Sequence, residues 1–295
     1  MPEKRRVIAV LGPTATGKTA LAVRLAERIG GEIVSVDSRQ VYRGLDIGSG
    51  KDLQEYGEIP YHLIDIADPA DVVYHLYRFC HDAYRAVEDI ARRGKVPVLC
   101  GGSPLYMASL LQGYRLPGGE LPPRNAGDNR RRQPEGAADS FEPPFELDYL
   151  ALGVYYDRRT VRGRIEKRLD ARLAAGMIEE VRRLHDSAGV SYDKLKFFGL
   201  EYREISRYLC GEYAGIPEMR EQLLNKIRQF ARRQDIFFRK MEREGVVIQW
   251  LKGGVEPDPV QLATSFLEGK PLPPPVLRLS DIRYKKLNSR GEDDE

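Results

Sequence analysis

The chain has 295 residues, 42% hydrophobic and 31% charged, with a formal net charge of +3, enough for one large α/β domain with an appended lobe or for two small domains. No stretch approaches the roughly 18 uncharged apolar residues that a membrane span needs, and Met-Pro-Glu-Lys-Arg-Arg leads straight into a strand-like run, so a cytoplasmic protein without a membrane partner is expected. Cys80, Cys100 and Cys210 are isolated and odd in number, which argues against a disulfide framework or a structural zinc and for buried thiols. Residues 153–245 carry 21 Lys/Arg against 15 Asp/Glu, an imbalance that permits a polyanionic partner.

Val7-Ile8-Ala9-Val10-Leu11 is an unbroken apolar run too short for a helix and closed by Gly12-Pro13, the pattern of a strand buried on both faces. The period then changes: Leu21, Leu25 and Ile29 mark one face of a helix over residues 18–29, ended by Gly30-Gly31. Further strands are expected at 32–36, 61–66 and 96–100, with a helix at 77–93. Strands alternating with helices predict a parallel sheet covered on both faces.

Between residues 113 and 145 prolines, glycines and charges crowd together with almost no large apolar residue, and a flexible linker is expected there. The core, begun in residues 1–112, resumes over 146–268. A fifth strand is expected at 147–154, then a helix from Arg158 to about Leu173, capped by Asp157 and buried along Val161, Ile165, Leu169 and Leu173. Short helices follow at 178–185 and 202–209. A long one spans 218–243, with Met219, Leu223, Ile227, Phe230, Phe237 and Met241 at helical spacing. A closing strand (246–251) and a last helix (259–267) precede a Pro-rich, charged segment, 269–295, expected to be mobile.

Gly12-Pro13-Thr14-Ala15-Thr16-Gly17-Lys18-Thr19 fits the phosphate-loop pattern and sits between a buried strand and a helix start. Its glycines let the backbone wrap phosphate oxygens, Lys18 bridges the terminal phosphates and the Thr19 hydroxyl can ligate Mg²⁺. A nucleoside triphosphate, a sulfuryl donor and an isoprenoid diphosphate all present suitable oxygens. Asp37 falls just beyond the second strand's carboxyl end, on the same sheet edge; it could orient Mg²⁺, act as a general base or cap the next element. Gly101-Gly102-Ser103 reaches that edge too, and Ser103 reads equally as a ligand hydroxyl or an N-cap. His62, His75, His81 and His185 lack metal-ligand spacing.

With the phosphate loop, the segments Asp37-Ser38-Arg39-Gln40-Val41-Tyr42, Asp46-Ile47-Gly48, His62-Leu63-Ile64-Asp65 and Gly101-Gly102-Ser103-Pro104-Leu105-Tyr106 resemble the tRNA dimethylallyltransferases in order and spacing. Asp157-Arg158, Arg164-Ile165-Glu166-Lys167-Arg168, Gly176-Met177-Ile178-Glu179-Glu180-Val181 and Phe230-Ala231-Arg232-Arg233-Gln234 resemble that family's C-terminal half. Two departures stand out. Ser103 occupies a place where the family usually has threonine, and the helical insertion that grips the anticodon stem is replaced by the polar stretch 113–144.

The resemblance implies a P-loop NTPase-like sheet with a helical C-terminal lobe. It also implies an activity: transfer of a dimethylallyl group from dimethylallyl diphosphate to N6 of adenine 37 in the tRNA anticodon stem-loop, by a monomer using Mg²⁺ at Thr19. Gly12, Pro13, Thr14, Ala15, Thr16, Gly17, Lys18 and Thr19 would hold the diphosphate, and Asp37 would take the amine's proton. Ser38, Arg39 and Gln40 would hold the flipped nucleotide, and the Ser103 hydroxyl would serve the centre. Arg164, Arg168 and Arg172, spaced i, i+4, i+8, either close over the diphosphate, Arg164 foremost, or form a solvated face paired with Glu166 and Asp170. On the long helix Arg228, Arg232, Arg239 and Arg243, with Lys226, Arg233 and Lys240 nearby, suit an RNA backbone or merely water. Prenylation of a free adenine nucleotide and a P-loop kinase acting on a small molecule are the alternatives.

Overall fold

A computed structural model describes residues 4–70, 74–116 and 141–282. Six strands, β1 (Lys4–Leu11), β2 (Gly31–Ser35), β3 (Tyr61–His62), β4 (Val96–Gly101), β5 (Glu146–Tyr155) and β6 (Ile248–Lys252), form one sheet in the order β3-β2-β4-β1-β5-β6, every pair parallel. The connections are helical: α1 (Lys18–Ile29), α2 (Leu76–Arg92), α3 (Pro104–Leu111), α4 (Arg158–Ala174), α5 (Met177–Asp186), α6 (Tyr192–Leu195), α7 (Leu200–Leu209), α8 (Ile216–Arg243) and α9 (Pro259–Leu267). Side-chain alternation sorts each strand between two cores. Val7, Ala9 and Leu11 face the α2, α3 and α8 side, whereas Ile8 and Val10 face α1 and α9.

The third strand is shorter than the expected 61–66. Leu63 and Asp65 have positive φ (63° and 56°), so the chain leaves the sheet after His62, and a single parallel bridge pairs Tyr42 with Ala67 beyond the turn. The long-helix seam also shifts by a residue. Ala231, Gln234 and Phe238 lie in the buried face, Phe237 is half-buried, and Phe230 is exposed toward a cleft described below. In α4 only Ile165 and Leu169 are buried, Val161 and Leu173 being half-buried. Cys80 and Cys100 are buried as expected; Cys210, at the end of α7, is exposed.

Both segments expected to be mobile have ordered margins. Leu116 pairs with Phe141 through two backbone hydrogen bonds, and Phe141 and Phe145 are buried against Tyr84; residues 117–140 of the expected linker lie outside the described residues. Residues 269–282 pack back onto α8. There Glu242 accepts from the backbone amides of Leu279 and Ser280, Arg239 donates to the Ile282 carbonyl at 2.9 Å, and Leu279 is fully buried. Residues 283–295 are likewise outside the described set.

Two buried charges shape the loop after β2. Glu180 of α5, 3% exposed, accepts from the amides of Asp46, Ile47 and Gly48 and from the Tyr202 hydroxyl. Lys51, 1% exposed, donates to the Tyr42 carbonyl and to the carboxylates of Asp46 and Asp65. A buried charge is tolerable only when its partners are this complete. Glu180→Gln keeps the volume but turns an amide NH₂ toward these donors, so a loss of about 1–3 kcal/mol in urea unfolding is expected; an unchanged midpoint and slope would show that this carboxylate does not hold the loop.

Candidate active site

The carboxyl ends of β1, β2 and β4 open into a cleft of about 1040 Å³ whose other wall is built from α4, the α6–α7 turn, α7 and α8. The phosphate loop forms its floor. Gly12 has a φ of 146° that favours glycine, and a Cβ there would stand 3.0 Å from the Val154 carbonyl oxygen. Gly17 (φ 83°) precedes α1 with no side-chain cap, leaving the helix's first amides for an anion. Thr14, Ala15, Gly17, Lys18 and Thr19 line the cleft. Gly12, Pro13 and Thr16 lie behind it as framework, the Pro13 carbonyl accepting from both the Thr16 hydroxyl and Lys18 Nζ.

Lys18 opens onto the cleft but is otherwise enclosed by protein. Desolvation pushes its ammonium down to about 8, and the Arg168 guanidinium adds to that while Cys100 and Asp37 oppose it. Asp37 moves the other way: burial raises its carboxyl, offset in part by the Arg39 and Gln40 amides and by Lys18. Its Oδ1 accepts from the Arg39 amide at 2.8 Å, so Asp37 both caps the turn and faces the cleft.

The turn sits where it does because β4 ends in Gly101. A Cβ there would lie 2.0 Å from the Val36 carbonyl oxygen, which only glycine avoids. Ser103 does not cap α3; its Oγ accepts from the Ser38 amide at 3.4 Å, tying the two turns together. Gln40 lines the cleft, yet its amide is engaged at both ends, donating to the Gly50 carbonyl and accepting from the Ser35 hydroxyl.

The arginine row of α4 faces inward. Arg164 Nε donates to the Ala15 carbonyl at 2.7 Å, Arg168 donates to Thr14 Oγ1, and Arg172 pairs with Asp52 at 3.1 Å. Burial, with Arg172 beside it, lowers Arg168 to about 10. Glu166 and Asp170 do not neutralise the row, because they pair with Arg220 and, for Glu166, with Arg228.

The same packing engages part of the basic strip of α8. Arg228 is held by Glu166, Lys226 by Glu204, and Arg239 bonds the Ile282 carbonyl, so much of the basic strip serves the fold. Arg232 is exposed but outside the cleft; Arg233 lines it. The residue that composition could not single out is Gln234. Only 3% exposed, it accepts from the Thr14 amide at 2.9 Å and donates to the Gly102 carbonyl at 2.5 Å, bridging the phosphate loop to the Gly-Gly turn. Its spacing within the helix seam was legible, but a glutamine there carries no partner information. Among the described residues no three His, Cys, Asp or Glu gather as a metal cage, and no helix is long and apolar enough to cross a membrane.

A family model described as IPP transferase matches residues 40–140 and 124–241, and one described as isopentenyl transferase matches residues 5–58. The tRNA dimethylallyltransferase 1 of Geotalea uraniireducens (strain Rf4) is 43% identical over 90% of this chain and 98% of its own length. The chain belongs to the tRNA dimethylallyltransferase family. Solved structures of this family agree. The tRNA isopentenylpyrophosphate transferase of Bacillus halodurans superposes with a TM-score of 0.70 at 27% identity, over 90% of this chain and 96% of its own. The tRNA delta(2)-isopentenylpyrophosphate transferase of Staphylococcus epidermidis gives 0.69 at 28%, over 90% and 98%.

If this member of the tRNA dimethylallyltransferase family holds an anion against Lys18, that binding should be pH-sensitive. In the empty site Lys18 loses its proton as pH rises through about 8, whereas a bound anion favours the charged form, so binding above pH 8 must take up a proton. Calorimetry with inorganic pyrophosphate should show affinity falling by up to about tenfold per pH unit above 8. Lys18→Arg should flatten that limb; equal slopes in both proteins would remove Lys18 as its source.

Proposed function

We propose that this chain transfers the dimethylallyl group of dimethylallyl diphosphate to the exocyclic N6 of the adenine beside the anticodon, position 37, in tRNA, releasing diphosphate. The observation that carries this reading is a carboxylate, Asp37, facing the same cleft as a phosphate loop walled by Lys18, Arg164 and Arg168.

Adenine N6 is a poor nucleophile because its lone pair is delocalised into the ring. The donor's allylic C–O bond breaks with its electron pair passing to the diphosphate, while the N6 lone pair forms the new N–C bond. Charge growing on the departing diphosphate is met by the loop amides, by Lys18 and by Arg164 and Arg168, a preorganised electrostatic contribution. The N6 proton passes to Asp37, whose basicity is raised by burial. Arg39, Ser38 and Arg233, which line the cleft, would hold the flipped nucleotide, and Ser103 and Gln40 would keep the Asp37 turn rigid. Thr19, which lines the cleft beside Lys18, would hold Mg²⁺ through its hydroxyl, and the ion would supply charge neutralisation to the departing diphosphate.

Incubation with labelled dimethylallyl diphosphate and either bulk tRNA or AMP tests the reading. Label should enter tRNA; label in AMP alone, or ATP turnover without prenyl transfer, would overturn it. Asp37→Asn preserves an acceptor for the Arg39 amide but not the base. It should lower kcat by about 10²–10⁴-fold with pyrophosphate binding intact, and full turnover would remove Asp37 from proton transfer.

Gln234→Leu should lower kcat by roughly 10- to 100-fold through misplacement of the loop against the Gly-Gly turn, with pyrophosphate affinity changed by less than about fivefold. Single-turnover rates and calorimetry separate the two effects, and an unaltered rate would show the bridge to be dispensable.

A further inference from the structure

Phe197 is the large aromatic side chain most open to solvent among the described residues, 71% exposed. Isolated exposed apolar residues are common and need no account. This one differs from Val276, Val247 and Ile236 in its place, since the next three residues, Phe198, Gly199 and Leu200, line the cleft. Its turn is also stiff. The Phe197 and Phe198 amides donate to the Lys194 and Leu195 carbonyls, both at 3.0 Å, and buried Phe198 packs its ring 4.6 Å from that of Tyr42. Arg203, which lines the cleft, donates from Nε to the Lys196 carbonyl at 3.0 Å, so a guanidinium is held to the same turn. On the inner side, Arg39 lies close against Gly199.

An exposed ring on a hydrogen-bonded turn whose next three residues line the cleft, with two guanidinium groups beside that turn, suits a single-stranded nucleic acid entering a cleft that must admit one base. Drawing an adenine out of a stacked loop strips its neighbour of one stacking face, and an aromatic side chain can restore that contact without reading sequence. We propose that Phe197 is the stacking platform for the nucleobase flanking the target adenine, with Arg203 taking an adjoining phosphate. This rests on the RNA reading above and adds to it a residue that the phosphate and proton chemistry does not use.

The test is binding of a labelled anticodon stem-loop RNA by fluorescence anisotropy, alongside calorimetry with inorganic pyrophosphate. Phe197→Ala should weaken RNA binding about 5- to 150-fold, while pyrophosphate affinity and Tm stay unchanged. Phe197→Tyr should come within about threefold of the unaltered protein, and Phe197→Leu, which keeps apolar area but no ring, should behave like the alanine variant. Undiminished affinity in Phe197→Ala, or in Phe197→Leu, would overturn the platform. So would a change of oligomeric state in sedimentation, which would mark the ring as a protein contact. If the unaltered protein takes pyrophosphate but no RNA, the RNA reading itself fails and the platform with it.

Discussion

The site depends on one close approach of backbone. At the ends of β2 and β4 the Val36 carbonyl oxygen occupies the space where a side chain on Gly101 would be, and the Val36 amide bonds the Cys100 carbonyl at 2.7 Å. That approach sets the Asp37 turn beside the Gly-Gly turn, which Ser103 then fastens to Ser38. Because parallel strands share direction, the phosphate loop after β1 emerges on the same edge. Acid and anion cradle are therefore neighbours through sheet geometry, although Lys18 and Asp37 stand 19 positions apart in the chain, with the rest of α1 and all of β2 between them.

Charge in the cleft follows from which acids are kept out of it. Had Glu166 and Asp170 turned toward the arginine row of α4, they would offset part of the excess of cations over acids that line the cleft; their capture by Arg220 and Arg228 leaves Arg164 and Arg168 bonded to loop oxygens. Burial lowers both Lys18 and Arg168, and repulsion from a neighbouring arginine adds to each shift. A polyanion entering the cleft would offset that repulsion and favour the charged form of both groups.

Much of this was legible in the chain. Unbroken apolar runs marked the buried parallel strands, and the glycine-lysine pattern marked the phosphate loop, because both follow from local chemistry. The third strand was overextended because left-handed residues at Leu63 and Asp65 leave no compositional trace. Phe237 and Phe238 could not be told apart by spacing alone, since a helix seam shifted by one residue swaps them, and the partner decides. The burial of Glu180 and Lys51 leaves no mark in the chain, because it depends on amides and carboxylates 5 to 134 residues away. Arg228 was equally opaque, because only the fold reveals that Glu166 claims it.

The Gln234 bridge has a consequence for biosynthesis. The phosphate loop, the Asp37 turn and the Gly-Gly turn are all translated within the first 103 residues, but the side chain that joins loop to turn, and the arginines that reach over the loop, come from the second half. A growing chain that has exposed only its N-terminal half would hold the cradle without its clasp. The site is thus completed late on the ribosome, after α8 has emerged and docked.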